Sequence, residues 1–199
     1  MTVGISEISK LETLEDLHIE EITRNGYTLL ENALSGEEVA FLQSGKLEEI
    51  YQQQLNDIGG EEKLNEMGDQ FSIKHLLAYD EFFVKLLILP KILKIMEHFL
   101  GEFYILHLQN GVLNYPGVHH PAALWHRDFV YQHFTSSKPL GIGVLFVIDD
   151  FNDETGGSMF LPGSHKFDAF PSSEYVNKHN KQISAKAGSI LVFDSMMFH

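Results

Sequence analysis

The tetrapeptide Trp125-His126-Arg127-Asp128, taken together with a histidine at position 199, constrains the fold of this chain more than any other feature. On a β-strand side chains alternate with period 2, so His126 and Asp128 point to the same side and can reach one metal ion. A third ligand must then come from a distant strand, and Phe193-Asp194-Ser195-Met196-Met197-Phe198-His199 ends on a residue of the required type. Any fold that joins them has to bring two strands far apart in sequence together at one barrel mouth.

The chain contains no cysteine, which excludes a disulfide framework and any thiolate metal site and leaves histidine and carboxylate as the ligands. Two imidazoles and one carboxylate on one face of an octahedron leave three positions open, which suits Fe(II) binding a bidentate oxo-acid and then O₂. The His119-His120 pair and His133 make a poor second chelate, because adjacent side chains point to opposite strand faces.

Between the proposed ligands lie Thr155-Gly156-Gly157-Ser158-Met159-Phe160-Leu161-Pro162-Gly163-Ser164-His165-Lys166 and Ala187-Gly188-Ser189-Ile190-Leu191-Val192-Phe193-Asp194. This ordered set, from about Gly26 to His199, resembles the phytanoyl-CoA dioxygenase family of Fe(II)/2-oxoglutarate oxygenases. In that family a His-x-Asp, a Gly-x-x-x-Phe-x-Pro-Gly-Ser-His element, a Gly-Asp/Ser-apolar strand and a distal histidine occur in the same order. The resemblance implies His126, Asp128 and His199 as metal ligands, with Fe(II), 2-oxoglutarate and O₂ as cofactor and cosubstrates. It excludes His165, since the family's iron ligand is the later histidine.

The resemblance also implies that Lys74 approaches 2-oxoglutarate and that Gln109 projects a polar side chain towards the site. Asn114 faces the pocket or forms the turn Asn114-Tyr115-Pro116-Gly117. Tyr131 and Gln132 are the expected substrate contacts among the aromatic residues Trp125, Phe129 and Phe134. The sequence departs from the family pattern in one respect. Family members carry an arginine about ten residues after the distal histidine, where it pairs with the far carboxylate of 2-oxoglutarate, and no residue here takes that role. A C-terminal barrel strand is therefore expected to be missing from this chain.

Length and composition fit one oxygenase domain over residues 1–199, with a helical N-terminal part to about residue 100 and a barrel from about residue 101. Its 44% hydrophobic and 21% charged residues are ordinary for a globular enzyme. A net charge of -14 argues against a nucleic acid or an anionic membrane as partner, because both reward basic surfaces. The apolar run from Phe82 to Leu100 is interrupted by Lys85, Pro90, Lys91, Lys94 and Glu97, so it reads as core helices. Residues 1–21 lack the basic-then-apolar order of a signal peptide, and a cytoplasmic location is expected.

Apolar spacing predicts a helix over Lys10–Arg24 that stops at Asn25-Gly26, and a strand over Tyr27–Glu31. A helix capped by Ser35 should run to about Leu55. Ile58–Gln70 reads as a surface loop, Phe71–Tyr79 as the start of a helix, and Asp80–Leu87 and the segment from Pro90 as helices. Strands are expected at Phe103–Val112, Leu124–Phe129, Leu140–Ile148, Ser158–Leu161, Gln182–Ala185 and Ser189–Phe193. Strands after a helical start suggest a mainly β fold with helical buttressing, a jelly-roll or cupin-like barrel, which the resemblance names a double-stranded β-helix. The first functional reading is a 2-oxoglutarate-dependent dioxygenase that hydroxylates a small-molecule substrate. The alternatives are a non-catalytic binding or regulatory barrel that kept the fold, and a zinc-dependent isomerase or hydrolase.

Overall fold

A computed structural model describes residues 10–117, 123–129 and 134–199. Helix α1 (Leu14–Asn25) opens on Thr13, whose side chain accepts from the Asp16 N–H while the Asp16 carboxylate accepts from the Thr13 N–H. This reciprocal cap satisfies two of the donors left over at a helix start. The helix stops at Gly26, left-handed with φ 91°, whose N–H returns to the Ile22 carbonyl. Strand β1 (Tyr27–Leu30) comes directly after it.

The long helix expected after Ser35 is interrupted. Helix α2 (Gly36–Phe41) passes through a widened turn at Leu42–Lys46, where Gly45 has φ 84°, into α3 (Leu47–Ile58). A left-handed glycine breaks the helical ladder and re-aims the next helix. The segment expected as a loop contains α4 (Glu61–Glu66). Phe71–Tyr79 is not a helix start: the backbone is left-handed at Phe71 and His75, which brackets strand β2 (Ser72–Lys74), and only a 3₁₀ turn, Leu76–Ala78, comes after it. Helices α5 (Phe82–Leu87) and α6 (Pro90–Leu100) form as the sequence suggests, with Pro90 in the first turn of α6.

The remaining strands are β3 (Asn110–Val112), β4 (Ile142–Phe146), β5 (Met159–Phe160), β6 (Lys181–Gln182) and β7 (Ile190–Asp194), with helix α7 (Ser173–His179) between β5 and β6. Helix α7, capped by Ser172, lies outside the sequence expectation. Three antiparallel sheets result, in the orders β1-β7-β4, β2-β3 and β5-β6.

Strands are thus shorter than expected, and helices and antiparallel sheets share the fold in place of a mainly β one. No closed barrel is present among the described residues. Residues 103–109 stay outside any strand, with Phe103, Ile105 and Leu108 exposed. Extended backbone becomes strand only where a neighbour takes up its N–H and C=O groups, and β3 finds that neighbour in β2.

Strand β7 is the centre of the molecule, and all five of its residues are buried. Its side chains alternate between two cores. Ile190 and Val192 join the helical core with Ile22, Leu42, Ile50 and Ile95, while Leu191 and Phe193 face a second core with Val147, Phe160 and Met197. A strand covered on both faces needs a continuous apolar run, which Ile190-Leu191-Val192-Phe193 supplies. No helix among the described residues is long and apolar enough to cross a membrane.

Candidate metal centre

The end of β7 positions the first half of the site. A tight turn begins at Asp194, with the Met197 N–H donating to the Asp194 carbonyl at 2.8 Å and the Met196 N–H to the Asp194 carboxylate at 2.9 Å. The turn sends Phe198 and His199 away from the sheet and alongside residues 126–128. There the His126 N–H donates to the His199 carbonyl at 3.0 Å and the His199 N–H to the His126 carbonyl at 3.1 Å. The Asp128 N–H donates to the Ser195 carbonyl at 3.2 Å. Residues 124–129 are therefore not the strand expected: the turn at 194–197 interrupts the ladder on the opposing chain, leaving isolated bonds at its two ends.

His126, Asp128 and His199 converge, each offering one ligand atom within 4.8 Å of the other two. The Asp128 carboxylate stands 3.7 Å from His199 Nε2. Both imidazoles are oriented by backbone. His126 Nδ1 lies 2.7 Å from the Leu124 carbonyl and His199 Nδ1 lies 3.0 Å from the Met197 carbonyl. A carbonyl only accepts, so each Nδ1 carries the proton and each Nε2 presents its lone pair, the tautomer a metal ligand needs.

His199 stacks on Phe160, with ring centroids 5.4 Å apart at 16°, and meets Phe193 edge-on at 4.8 Å. Burial, above all, lowers its pKa against the raising effect of the Met197 carbonyl and Asp128, and His126 adds to the lowering. The neutral imidazole is thereby favoured. Two imidazoles and a carboxylate on one side of an otherwise open position fit a divalent Fe, so the residues present suit the metal that the motifs imply.

Three more of the expected residues, Lys74, Gln109 and Asn114, are among those the structure describes. The Lys74 ammonium pairs with Asp69 at 2.8 Å, and the Lys74 backbone is held on both sides by the Gln54 amide. Gln109 donates through Nε2 to the Phe83 carbonyl at 3.3 Å, and its buried Oε1 has no partner among the described residues. Asn114 is exposed and lines a cleft of about 300 Å³ with Gln43, Tyr115 and Asp149. Among the described residues no hydrogen bond or ion pair joins Lys74, Gln109 or Asn114 to the three converging side chains. Tyr131 and Gln132 lie outside the described residues, as do His119, His120 and His133.

His165 stands apart from the converging group and does a different job. Its Nε2 lies 3.3 Å from the Thr23 carbonyl, and the Gly163 N–H donates to the Asn25 carbonyl at 2.7 Å, so the Pro162-Gly163-Ser164-His165 turn caps the end of α1. Sequence reasoning missed two features. The ring contacts of Phe160 and Phe193 on His199 were foreshadowed only by the phenylalanine in the Gly-x-x-x-Phe motif. Arg127, to which the sequence assigns no role, is buried.

An uncharacterized Mycobacterium tuberculosis protein is 30% identical over 179 residues, covering 87% of this chain and 64% of that protein. A probable alpha-ketoglutarate-dependent hypophosphite dioxygenase of Stutzerimonas stutzeri is 30% identical over 156 residues, 73% of this chain and 52% of the relative. The chain thus spans between about half and two thirds of the length of these relatives. Among solved structures, EctD from S. alaskensis with bound Fe superposes with a TM-score of 0.67 at 20% identity, covering 91% of this chain and 68% of that one. AviO1 from Streptomyces viridochromogenes gives 0.65 at 17% identity, with 94% and 87% covered. These likenesses establish a cupin-like fold. A sequence model of the phytanoyl-CoA dioxygenase (PhyH) family matches residues 22–199, a span that takes in every converging side chain, and with it the chain belongs to that family.

Proposed function

We propose that this protein is an Fe(II)/2-oxoglutarate-dependent dioxygenase that hydroxylates a small-molecule substrate, with release of succinate and CO₂. The observation that carries the reading is the convergence of His126, Asp128 and His199 with both Nδ1 atoms tied to backbone carbonyls. When bound, Fe(II) and 2-oxoglutarate together supply the O₂ activation that oxidises a substrate C–H bond. The protein's share is to hold and orient. His126 and His199 present Nε2, Asp128 supplies the carboxylate oxygen, and the Phe160 and Phe193 rings keep water from one side of His199.

Lys74, Gln109 and Asn114 are the residues we assign to the oxo-acid, and Tyr131 and Gln132 those we assign to the substrate. The three antiparallel sheets are, in this reading, parts of a double-stranded β-helix within a single oxygenase domain, and the protein works in the cytoplasm. Ectoine and hypophosphite appear in the names of relatives, both small molecules, and the acidic surface of this chain suits neither a nucleic acid nor an anionic membrane.

Anaerobic loading with Fe(II) and 2-oxoglutarate followed by exposure to O₂ tests the reading. Succinate should form in an amount that depends on both additions, even without substrate, and a panel of small molecules should raise it. Succinate formation independent of Fe(II), or none with iron demonstrably bound, would contradict it.

A further inference from the structure

We propose that Arg127 is a positioning residue that locks the two arms of the metal centre to each other. The proposal rests on the assignment of His126, Asp128 and His199 as ligands.

Arg127 sits between two of them in sequence and is only 5% exposed. Its Nη1 donates to the Asp168 carbonyl at 3.0 Å, and its Nη2 donates to the carbonyls of Phe167 and, at 3.4 Å, Ser164. The guanidinium carbon lies 3.9 Å from the centroid of the Phe198 ring. Phe198 is the neighbour of His199, and its backbone is fixed as well: its N–H donates to Ser164 Oγ at 2.9 Å, and its carbonyl accepts from the Leu161 N–H at 3.0 Å. One planar group thus joins residues 126–128 to the 164–168 turn and to the ring that precedes the distal histidine.

The chemistry argues against simple filling of space. A buried guanidinium loses its hydration, and Arg127 is almost wholly enclosed. No carboxylate among the described residues forms an ion pair with it, so carbonyl dipoles and a ring face carry the charge. Its Nε has no partner there. A methionine would fill the same space without that desolvation. Only a rigid fork with donors on both terminal nitrogens and a flat face meets three carbonyls and a ring together, which an ammonium cannot do. The backbone bonds between His126 and His199 set the spacing of the two histidines, and Arg127 holds the flanking residues against rotation about that pair.

The test compares Arg127→Met, Arg127→Lys, Phe198→Leu and His126→Ala with the unaltered protein. Co(II) serves as an optical probe of affinity and ligand geometry, and melting is tracked by circular dichroism. Arg127→Met and Arg127→Lys should each bind Co(II) about 10- to 100-fold more weakly, with an altered visible spectrum, as when groups that orient metal ligands are removed. Phe198→Leu should shift affinity in the same direction by less. Co(II) binding within twofold of the unaltered protein in folded Arg127→Met, or full rescue by Arg127→Lys, would overturn the proposal. If Arg127→Met does not fold, Arg127→Lys decides. Unchanged binding in His126→Ala would instead refute the ligand assignment, so the two failures are distinct.

Discussion

His126 and His199 donate their backbone N–H groups to each other's carbonyls, at 3.0 and 3.1 Å, and their rings stand 4.4 Å apart. Such an exchange is the hydrogen-bonded pair of an antiparallel ladder, which holds the two Cα atoms about 5.5 Å apart. Main-chain bonding therefore brings the imidazoles together. Replacing either side chain should leave the pairing in place.

Gly26 is the tightest point behind the site. It is left-handed at φ 91°, and a Cβ there would lie 2.7 Å from both His165 Nδ1 and Met197 Sδ. Gly26→Ala should destabilise the protein by about 3 kcal/mol, from a left-handed alanine together with overpacking. Urea denaturation measures this directly.

His165 makes folding sensitive to acid. Burial, with Lys166 adding and the Thr23 carbonyl opposing, lowers its pKa from 6.5 to about 4. Between those values the unfolded chain binds a proton that the folded protein refuses, so stability is complete above the unfolded pKa and falls as pH drops towards the folded one. Asp194, whose carboxyl burial pushes up, titrates with the opposite sign. The difference between the unaltered protein and His165→Gln isolates the histidine: the gap in stability should narrow as pH is lowered from 7 to 4 in urea titrations.

Gly143 lies opposite Phe193 in the β4–β7 ladder, and a Cβ on it would meet the Phe193 ring at 2.3 Å. That ring packs on His199. Gly143→Ala should cost on the order of 2 kcal/mol by overpacking and should also weaken metal binding, because the displaced ring pushes on the distal histidine. Thermal melts and Co(II) titration report the two effects separately.

Lys74 tests the oxo-acid side. Its pair with Asp69 is partly exposed, so Lys74→Met should change stability by no more than about 1 kcal/mol. If its ammonium meets the oxo-acid carboxylate, the same change should weaken 2-oxoglutarate binding about tenfold or more, as for loss of a charge-assisted hydrogen bond. Calorimetric titration of 2-oxoglutarate into the iron-loaded protein reads that number.

Local signals were legible where one residue decides the outcome. The Asn25-Gly26 stop, the Ser35 cap and Pro90 at the start of α6 all stand as the sequence suggests. The apolar run at 190–193 announced a strand, though not that it would divide two cores. What could not be read depends on tertiary partners. Residues 103–109 have strand composition, yet a strand needs a neighbour. Gly45 does not itself say that a helix will break there. The period-2 argument for His126 and Asp128 named the right neighbours for the wrong reason, since isolated bonds to His199 and Ser195 hold them and not a continuous strand. Arg127 carried no sign of burial, because the carbonyls it meets come from a turn some forty residues away.

The most direct measurement is the Fe(II) stoichiometry and affinity of the protein and of His126→Ala, Asp128→Ala and His199→Ala, determined anaerobically beside their melting curves. The account predicts one Fe(II) per chain in the unaltered protein. Each variant should lose affinity by at least about 100-fold while keeping its fold, since each removes a ligand from a partly open site and leaves the backbone pair in place. Undiminished binding in any folded variant, or no binding by the unaltered protein, would contradict the three-residue metal centre.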